Sequence, residues 1–142
     1  MATVLIELAD TSAWWNRLKD ADVEERFNDK VEDGEIATCE LVEFELLWSA
    51  RNADEFVEQR QLLESLPQAR IDEGVWRRAL DVFELLSRQG PLHHRQVPIA
   101  DLVIAAAAEI RGLPLVHYDR HFETIAAVTG QPVRALAPLG SL

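Results

Sequence analysis

Three kinds of feature are scarce in this 142-residue sequence, and each scarcity excludes a class of protein. The single cysteine, Cys39, rules out an intramolecular disulfide framework and a zinc site built from several cysteines. The strongly apolar segment at residues 102–108 is too short to span a bilayer. Basic residues are also few, since 14 Lys and Arg face 25 Asp and Glu, which gives a net charge of −11. That balance argues against a protein that binds nucleic acid through a wholly basic surface.

The beginning of the sequence lacks the features of a secretion signal. Its apolar run has no basic flank, and Glu7 and Asp10 interrupt it, so we do not expect a signal peptide. The composition, with 48% apolar and 27% charged residues, is typical of a soluble globular protein, and we expect a cytoplasmic location. The length predicts a single domain over residues 1–142.

The acidic excess is concentrated in one part of the chain. Residues 20–64 contain 15 of the acids and only 4 of the basic residues. The remainder holds 10 residues of each sign and is therefore neutral. A protein that is acidic overall can thus still present a locally balanced surface to an anionic substrate.

Short apolar segments alternate with longer amphipathic segments along the chain. The apolar run at residues 4–9 ends in a polar Asp-Thr-Ser sequence, which is typical of a buried parallel strand. The alternation predicts an α/β fold, specifically a three-layer α/β/α sandwich around a short, mainly parallel sheet. The further predicted strands are 35–39, 113–118 and 132–136, and the predicted helices are 13–19, 20–32, 40–51, 52–66, 71–89, 98–111 and 121–129.

Two acidic residues directly follow predicted strands. Asp10 ends the first strand, and Asp119 ends the strand at residues 113–118. Ligands bind beyond the carboxyl ends of the strands in an open parallel sheet, so these two side chains are candidates for one site. The alternative is that each carboxylate only caps the helix that follows its strand.

A third acid, Glu45, occupies an unusual position in the helix predicted for residues 40–51. On a helical wheel at about 100° per residue, it falls within a continuous apolar arc. A lone carboxylate on a buried face costs several kcal/mol unless it is paired or metal-bound, so we predict a functional role for Glu45. The alternative is a fully buried helix in which an arginine pairs with Glu45, and Glu43 remains a second candidate for the site. The arc consists of Leu41, Val42, Phe44, Leu46 and Trp48, and we expect Trp48 to pack in the core.

The fourth acid, Asp101, opens a helix that is almost entirely apolar. Its alanines allow close packing against the sheet, which would bring Asp101 toward the strand ends that carry Asp10 and Asp119. The alternative is a first-turn acid that only interacts with the helix dipole. Four converging carboxylates repel one another unless divalent cations neutralise them. Oxygen ligands, without paired-histidine spacing, predict Mg²⁺ with Mn²⁺ as a substitute, in a site suited to phosphodiester hydrolysis.

These acidic segments together resemble the PIN domain, and in particular the VapC toxins of bacterial VapBC toxin–antitoxin modules. The resemblance extends over essentially the whole chain. One departure is Glu7, an unusual residue for a buried strand. The resemblance rests on DTS at residues 10–12, ELL at residues 45–47, DLVIAA at residues 101–106 and HYDRHF at residues 117–122.

The resemblance implies a catalytic site for a metal-dependent endoribonuclease. Asp10 and Asp101 would be the principal metal ligands, and Glu45 and Asp119 would complete the site directly or through water. The neighbours of the first acid, Thr11 or Ser12, would support it by hydrogen bonding.

The resemblance also implies partners. The substrate would be tRNA, rRNA or mRNA. The toxin would be a homodimer held inactive by a cognate VapB antitoxin, whose C-terminal segment inserts near the acidic site.

Candidates for RNA contact come from the charge-balanced part of the chain. They are Arg17, Arg95, Arg120 and His121, because arginine is well suited to phosphate and all lie near the predicted acids. The alternative is that they are ordinary surface charges. The adjacent Trp14 and Trp15 cannot both face one core, so one of them is a candidate for a base or protein contact.

Two other functions deserve comparison with a nuclease. A non-catalytic PIN-like module could bind RNA or protein without cleaving either. A receiver-type phosphoacceptor domain is also a small α/β protein with an acidic pocket, but it requires a lysine after a late strand. The only lysines, Lys19 and Lys30, are both early, and this disfavours the receiver and a haloacid-dehalogenase-type phosphatase alike.

Overall fold

Four short strands and seven α-helices follow one another along residues 5–142, the part of the chain that the computed structural model describes. Short 3₁₀ segments at Arg17–Lys19 and His93–Gln96 precede α2 and α6. The elements are β1 (Glu7–Ala9), α1 (Thr11–Asn16), α2 (Ala21–Glu32), β2 (Ile36–Ala37), α3 (Glu40–Leu47), α4 (Ala53–Glu64), α5 (Glu73–Ser87), α6 (Ile99–Ile110), β3 (Leu115–His117), α7 (Arg120–Thr129) and β4 (Val133–Ala135).

The described strands form one parallel sheet in the order β2-β1-β3-β4. Leu8 pairs with Ala37 on one side and with Leu115 on the other, and Val116 pairs with Arg134. The chain leaves β1 toward one edge and β3 toward the other, so the strand order reverses between these two central strands. Such a switch point opens a crevice at the carboxyl ends of the strands, which is where an α/β protein binds its ligand.

Helix α6 forms the centre of the core. All residues of Leu102–Ala108 are buried, and the helix contacts α3, α5 and α7. Its small alanine side chains permit close approach, as the sequence predicts. No helix within residues 5–142 is both long and apolar enough to cross a membrane.

The three-layer α/β/α architecture is confirmed, but the predicted elements are longer than the observed ones. The first strand begins at Glu7, and the earlier part of its prediction reaches Val4, which lies outside the described residues. A strand extends only as far as it is hydrogen-bonded to its neighbours. Because β2 contains just two residues, its pairing with β1 is short. The predicted loop at residues 90–97 contains the 3₁₀ segment His93–Gln96.

Glu7 is fully buried in β1 and has two cationic partners. Its carboxylate accepts hydrogen bonds from Arg134 Nε and Nη2 at 3.0 and 2.9 Å, and from Lys30 Nζ at 3.0 Å. Burial raises the pKa of Glu7, but these hydrogen bonds outweigh it and hold that pKa below its ordinary value. This pairing explains how an acid is tolerated in the central strand.

Candidate metal centre

Four structural elements place acidic side chains at the carboxyl edge of the sheet. Asp10 follows β1, Asp119 follows β3, Asp101 lies in the first turn of α6, and Glu45 lies on α3. The strands are parallel, so Asp10 and Asp119 leave the sheet at the same edge. The structure therefore gathers at the switch point the carboxylates that the sequence singles out.

Asp10 is buried and also caps the first helix. Its Oδ2 accepts a hydrogen bond of 2.9 Å from the Ser12 backbone N–H, which makes it the N-cap of α1. Burial raises the pKa of Asp10, Asp119 adds to the rise, and hydrogen bonds from Ser12 and Thr11 oppose it. Asp10 can therefore cap α1 through Oδ2 and still offer its other carboxylate oxygen to a metal ion.

Asp101 is the most strongly perturbed acid of the group. Burial, followed by the charges of Asp10 and Asp119, raises the pKa of Asp101 to about 7, against the lowering effect of His121. The Asp101 side chain is only 15% exposed, so water screens this repulsion poorly. A cation at this position would relieve a repulsion that the fold otherwise imposes.

Asp119 is held by histidines on two sides. Its Oδ1 accepts a hydrogen bond of 3.1 Å from the His121 backbone N–H and caps α7. Its own backbone N–H donates to Nδ1 of the fully buried His117 at 3.1 Å. His117 therefore carries its proton on Nε2, which lies 3.0 Å from Glu123 Oε1. This series of hydrogen bonds fixes the turn that carries Asp119.

The two glutamates of α3 point to different surroundings. Partial desolvation and then the charge of Asp10 raise the pKa of Glu45, and the Thr11 hydroxyl opposes this rise. Burial also raises the pKa of Glu43, but its acidic neighbours are Glu40 and Glu64 rather than the strand-end acids. Glu45, and not Glu43, is therefore the α3 acid that interacts with the cluster.

The reason given by the helical wheel for Glu45 was nevertheless wrong. Phe44 and Trp48 are 74% and 90% exposed, and Glu45 itself is accessible to solvent. Only Val42 is buried along α3, because the helix packs by a narrow strip rather than by the whole apolar arc. The expectation that Trp48 packs in the core is wrong for the same reason.

Two hydroxyl groups flank Asp10. Ser12 Oγ accepts a hydrogen bond of 2.8 Å from the Tyr118 backbone N–H and so links the turns after β1 and β3. Thr11 Oγ1 is buried and makes no hydrogen bond of normal geometry among residues 5–142, although it lies near enough to Glu45 to lower the pKa of that carboxyl. A buried polar atom without a partner, beside several repelling carboxylates, fits a site that completes its contacts with a hydrated cation.

Comparison with known proteins identifies the family of this chain. A sequence model of the PIN domain family matches residues 8–128. The chain belongs to the PIN domain family. Ribonuclease VapC18 from Mycobacterium tuberculosis is 36% identical over 138 residues, which covers 97% of this chain and all of the relative. Ribonuclease VapC21 from the same species is 37% identical and covers 84% of this chain and 86% of the relative.

Solved structures share the PIN fold with this chain. VapBC-5 from Mycobacterium tuberculosis, a member of the VapBC toxin–antitoxin family, superposes with a TM-score of 0.57 at 26% identity, covering 92% of this chain and 96% of that one. A DNA-bound VapBC complex from Salmonella typhimurium gives a TM-score of 0.66 at 21% identity, covering 94% and 99%. The resemblance of this sequence to VapC toxins is thereby confirmed.

The basic candidates occupy different positions on this PIN domain. Arg120 and Arg95 are exposed and form no ion pair within the described part of the chain. Arg17 instead packs over the rings of Trp14 and Phe27 at 5.1 and 5.7 Å and donates to Asn28 Oδ1 at 3.2 Å.

The tryptophan pair divides between core and surface, as predicted. Trp14 is buried and meets the Phe27 ring edge-on at 4.9 Å, whereas Trp15 is 44% exposed.

Sequence reasoning missed two histidines of the PIN site. His121 stays a predicted RNA contact, and its Nδ1 also lies 3.1 Å from Asp101 Oδ2 and 3.0 Å from Asp119 Oδ1, a proximity that the sequence does not indicate. His117 belongs to the HYDRHF segment, but nothing in the sequence indicates that it is buried and accepts the Asp119 backbone N–H. One signal was available for His121: a residue two positions after a helix-capping acid lies in the first turn, beside the cap carboxylate.

Proposed function

We propose that this chain is the toxin of a VapBC-type module and acts as a metal-dependent endoribonuclease that hydrolyses RNA phosphodiester bonds. The observation that carries the proposal is the convergence of Asp10, Glu45, Asp101 and Asp119 at the switch point of the sheet. Relatives named ribonucleases support the activity. We further propose that residues 1–142 act as a single domain and that an RNA substrate places the activity in the cytoplasm.

In this proposal, Asp10 and Asp101 hold Mg²⁺, which Mn²⁺ can replace. Glu45 and Asp119 contact the ion directly or through water, and Thr11 and Ser12 support Asp10. When bound, the cation neutralises phosphate charge and makes water a better nucleophile. The fit rests on the donor set, since clustered carboxylates with raised pKa values and the buried Thr11 hydroxyl match a hard, hydrated cation.

The protein itself must bring RNA to an acidic site. Without a cation, the carboxylates repel the phosphate backbone, so binding at the site depends on local positive charge. Arg120 directly follows Asp119, and Arg95 lies shortly before α6, which carries Asp101. Both are free to contact phosphates that flank the scissile bond. His121 and Arg17 are the other candidates, although the rings beneath Arg17 restrict its reach.

Two apolar surfaces support protein partners, a VapB-like antitoxin and a second copy of the chain. The first lies between α3 and α4 and exposes Phe44 and Trp48. The second lies between α5 and α6 and exposes Trp76, Leu80 and Ile99. Large exposed apolar patches of this kind mark protein contacts. The VapBC complexes of similar fold support the antitoxin as one partner.

The decisive experiment is RNA cleavage by the purified, antitoxin-free protein. We expect cleavage with Mg²⁺, inhibition by EDTA, and 5′-phosphate ends mapped by sequencing. Asp10→Asn and Asp101→Asn should abolish cleavage, and Asn at position 10 keeps the α1 cap. Asp29→Asn, which changes an exposed acid of α2, is the matched control and should retain full activity.

Two results would contradict the proposal. Metal-dependent cleavage that survives in both Asp10→Asn and Asp101→Asn would show that the activity comes from elsewhere. RNA binding without cleavage by the wild-type protein would favour the alternative, a non-catalytic PIN-like module. Growth arrest on expression, relieved by coexpression of a neighbouring antitoxin gene, tests the toxin assignment separately.

A further inference from the structure

We propose that His121 is itself a metal ligand, so that the centre has a mixed nitrogen and oxygen donor set and prefers Mn²⁺ to Mg²⁺. This inference rests on the proposed function, since it concerns the ion at the same site. It replaces the all-oxygen site expected from the sequence, in which His121 served only as an RNA contact.

The distances match those between neighbouring ligands of one ion. His121 Nδ1 lies 3.1 Å from Asp101 Oδ2 and 3.0 Å from Asp119 Oδ1. The three donor atoms lie within 4.8 Å of one another. In octahedral geometry with bonds of about 2.1 Å, adjacent ligands are separated by about 3.0 Å. The imidazole nitrogen thus lies at the ligand-to-ligand distance from each carboxylate, and in the absence of an ion the same 3.1 Å spacing forms a hydrogen bond between His121 and Asp101.

Three separate parts of the fold hold this arrangement. Asp101 comes from the first turn of α6, which is anchored in the core by its apolar residues. Asp119 caps α7, and its Oδ1 accepts the His121 backbone N–H at 3.1 Å. Nδ1 of the buried His117 accepts a hydrogen bond from the backbone N–H of Asp119 and holds this turn in place. The imidazole of His121 is thus directed at the carboxylates by the start of α7 rather than by a flexible loop.

The imidazole nitrogen of His121 does not increase the affinity for every ion equally. Imidazole is a poor ligand for Mg²⁺, which prefers oxygen and gives up its water reluctantly. Mn²⁺ accepts both carboxylate and imidazole, so it gains a bond from His121 where Mg²⁺ gains little. If His121 contacted RNA alone, its removal would weaken substrate binding and leave binding of both ions unchanged.

The test measures metal binding without RNA. Mn²⁺ and Mg²⁺ affinities are determined by calorimetry for the wild-type protein, for His121→Ala and for the matched control His93→Ala. His93 lies in the 3₁₀ segment before α6 and is not one of the donors that lie within 4.8 Å of one another. We expect His121→Ala to lose about tenfold or more in Mn²⁺ affinity, with a much smaller loss for Mg²⁺ and none for His93→Ala. Thermal unfolding of the metal-free variants verifies that they are folded.

A spectroscopic measurement identifies the ligand directly. Pulsed EPR of the Mn²⁺-loaded wild-type protein should show nitrogen coupling from a coordinated imidazole, and His121→Ala should lose it. Wild-type protein that binds Mn²⁺ without this coupling would overturn the inference, as would equal losses of Mn²⁺ and Mg²⁺ affinity in His121→Ala. RNA cleavage with Mg²⁺ in that case would leave the proposed function intact. Conversely, imidazole coupling in a protein that cleaves no RNA would support the ligand and contradict the proposed function.

Discussion

The hydroxyl of Ser12 accepts a hydrogen bond of 2.8 Å from the backbone N–H of Tyr118. These residues follow different strands, β1 and β3, and each lies next to an acid-bearing turn. The Ser12 backbone N–H also donates to Asp10 at 2.9 Å. One serine therefore holds the turn of Asp10 in register with the turn that presents Asp119.

Ser12→Ala should separate these two turns. The Tyr118 N–H would lose its partner in a partly buried position, which lowers the free energy of unfolding by about 1–2 kcal/mol. Cleavage should fall because Asp10 and Asp119 are less well fixed. Ser49→Ala is the control, since Ser49 follows α3 and its Oγ donates only to the Leu46 carbonyl at the exposed end of that helix. Chemical denaturation compares the two, and equal stability losses would contradict the role of Ser12.

Burial of Asp101, together with repulsion from Asp10 and Asp119, should make the metal-free protein less stable as the pH rises. The folded state raises the pKa of Asp101 from 3.8 to about 7, so it binds a proton more tightly than the unfolded chain. Between these two values the folded state holds more protons, and the free energy of unfolding falls with increasing pH. The charged form is disfavoured by at most about 4 kcal/mol.

Asp101→Asn removes this pH dependence. In EDTA, melting temperatures measured between about pH 5 and pH 8 should decline less in the variant than in the wild-type protein. At the upper end the variant should be the more stable of the two. Saturating Mn²⁺ should reverse the order, because only the wild-type site gains stability from binding the ion. Parallel pH profiles of the two proteins in EDTA would contradict the raised pKa of Asp101.

The two glutamates of α3 provide a matched pair of substitutions. Glu45 interacts with Asp10, whereas Glu43 lies among Glu40 and Glu64. Glu45→Gln should reduce cleavage by about 10- to 100-fold, the range typical of a weakened metal site. Glu43→Gln should leave cleavage close to wild-type and slightly increase stability by removing a repelled charge. A reversed pattern in an RNA cleavage assay would place Glu43 at the site instead.

The sequence was a good guide to the position of the acids at strand ends. Asp10 and Asp119 follow apolar segments, and in a parallel sheet such residues share one edge whatever the details of packing. Asp101 was accessible to the same reasoning, because an apolar helix of small residues has to lie in the core.

The sequence was a poor guide where an answer depended on which neighbours cover a surface. The apolar arc of α3 is composed of residues that look like core, yet Phe44 and Trp48 have no cover within the described chain. The partners of Glu7 were also not predictable, because Arg134 is distant in sequence and reaches Glu7 only through the sheet order. The proximity of His121 to Asp101 was not predictable either, because the fold brings the α6 carboxylate beside a residue 20 positions away in sequence.

The ion pair between Glu7 and Arg134 should contribute measurably to stability. Arg134→Met leaves the buried Glu7 with Lys30 alone and should lower the free energy of unfolding by about 1–3 kcal/mol. Arg60→Ala is the control, because it breaks an exposed pair with Glu64 worth at most about 0.5 kcal/mol.

The pH dependence of this difference has a defined sign. The folded pKa of Glu7 lies below its ordinary value of 4.5, so its ion pairs stabilise the protein above that value and lose this effect as the pH falls. The stability gap between wild type and Arg134→Met should therefore shrink in acid. A gap that is constant down to about pH 3 would indicate lost packing rather than lost charge.

The two exposed arginine candidates, Arg120 and Arg95, should control RNA affinity more than turnover. Arg120→Ala and Arg95→Ala each remove a charge that has no ion-pair partner within residues 5–142. Loss of one phosphate contact should raise KM and reduce the slope of log affinity against log salt by about 0.7, the value for single-stranded nucleic acid. The measurement is KM for a defined RNA at several salt concentrations.

Arg17 provides the contrast that makes this test specific. Its guanidinium lies over Trp14 and Phe27 and donates to the Trp14 carbonyl, so its main role is to cover the core beside α2. Arg17→Ala should lower the melting temperature while leaving the salt slope almost unchanged. If Arg17→Ala changed the slope as much as Arg120→Ala does, the RNA would have to pass over α1 as well. The path of the substrate would then extend from the acidic cluster across the surface of α1 rather than only past α6 and α7.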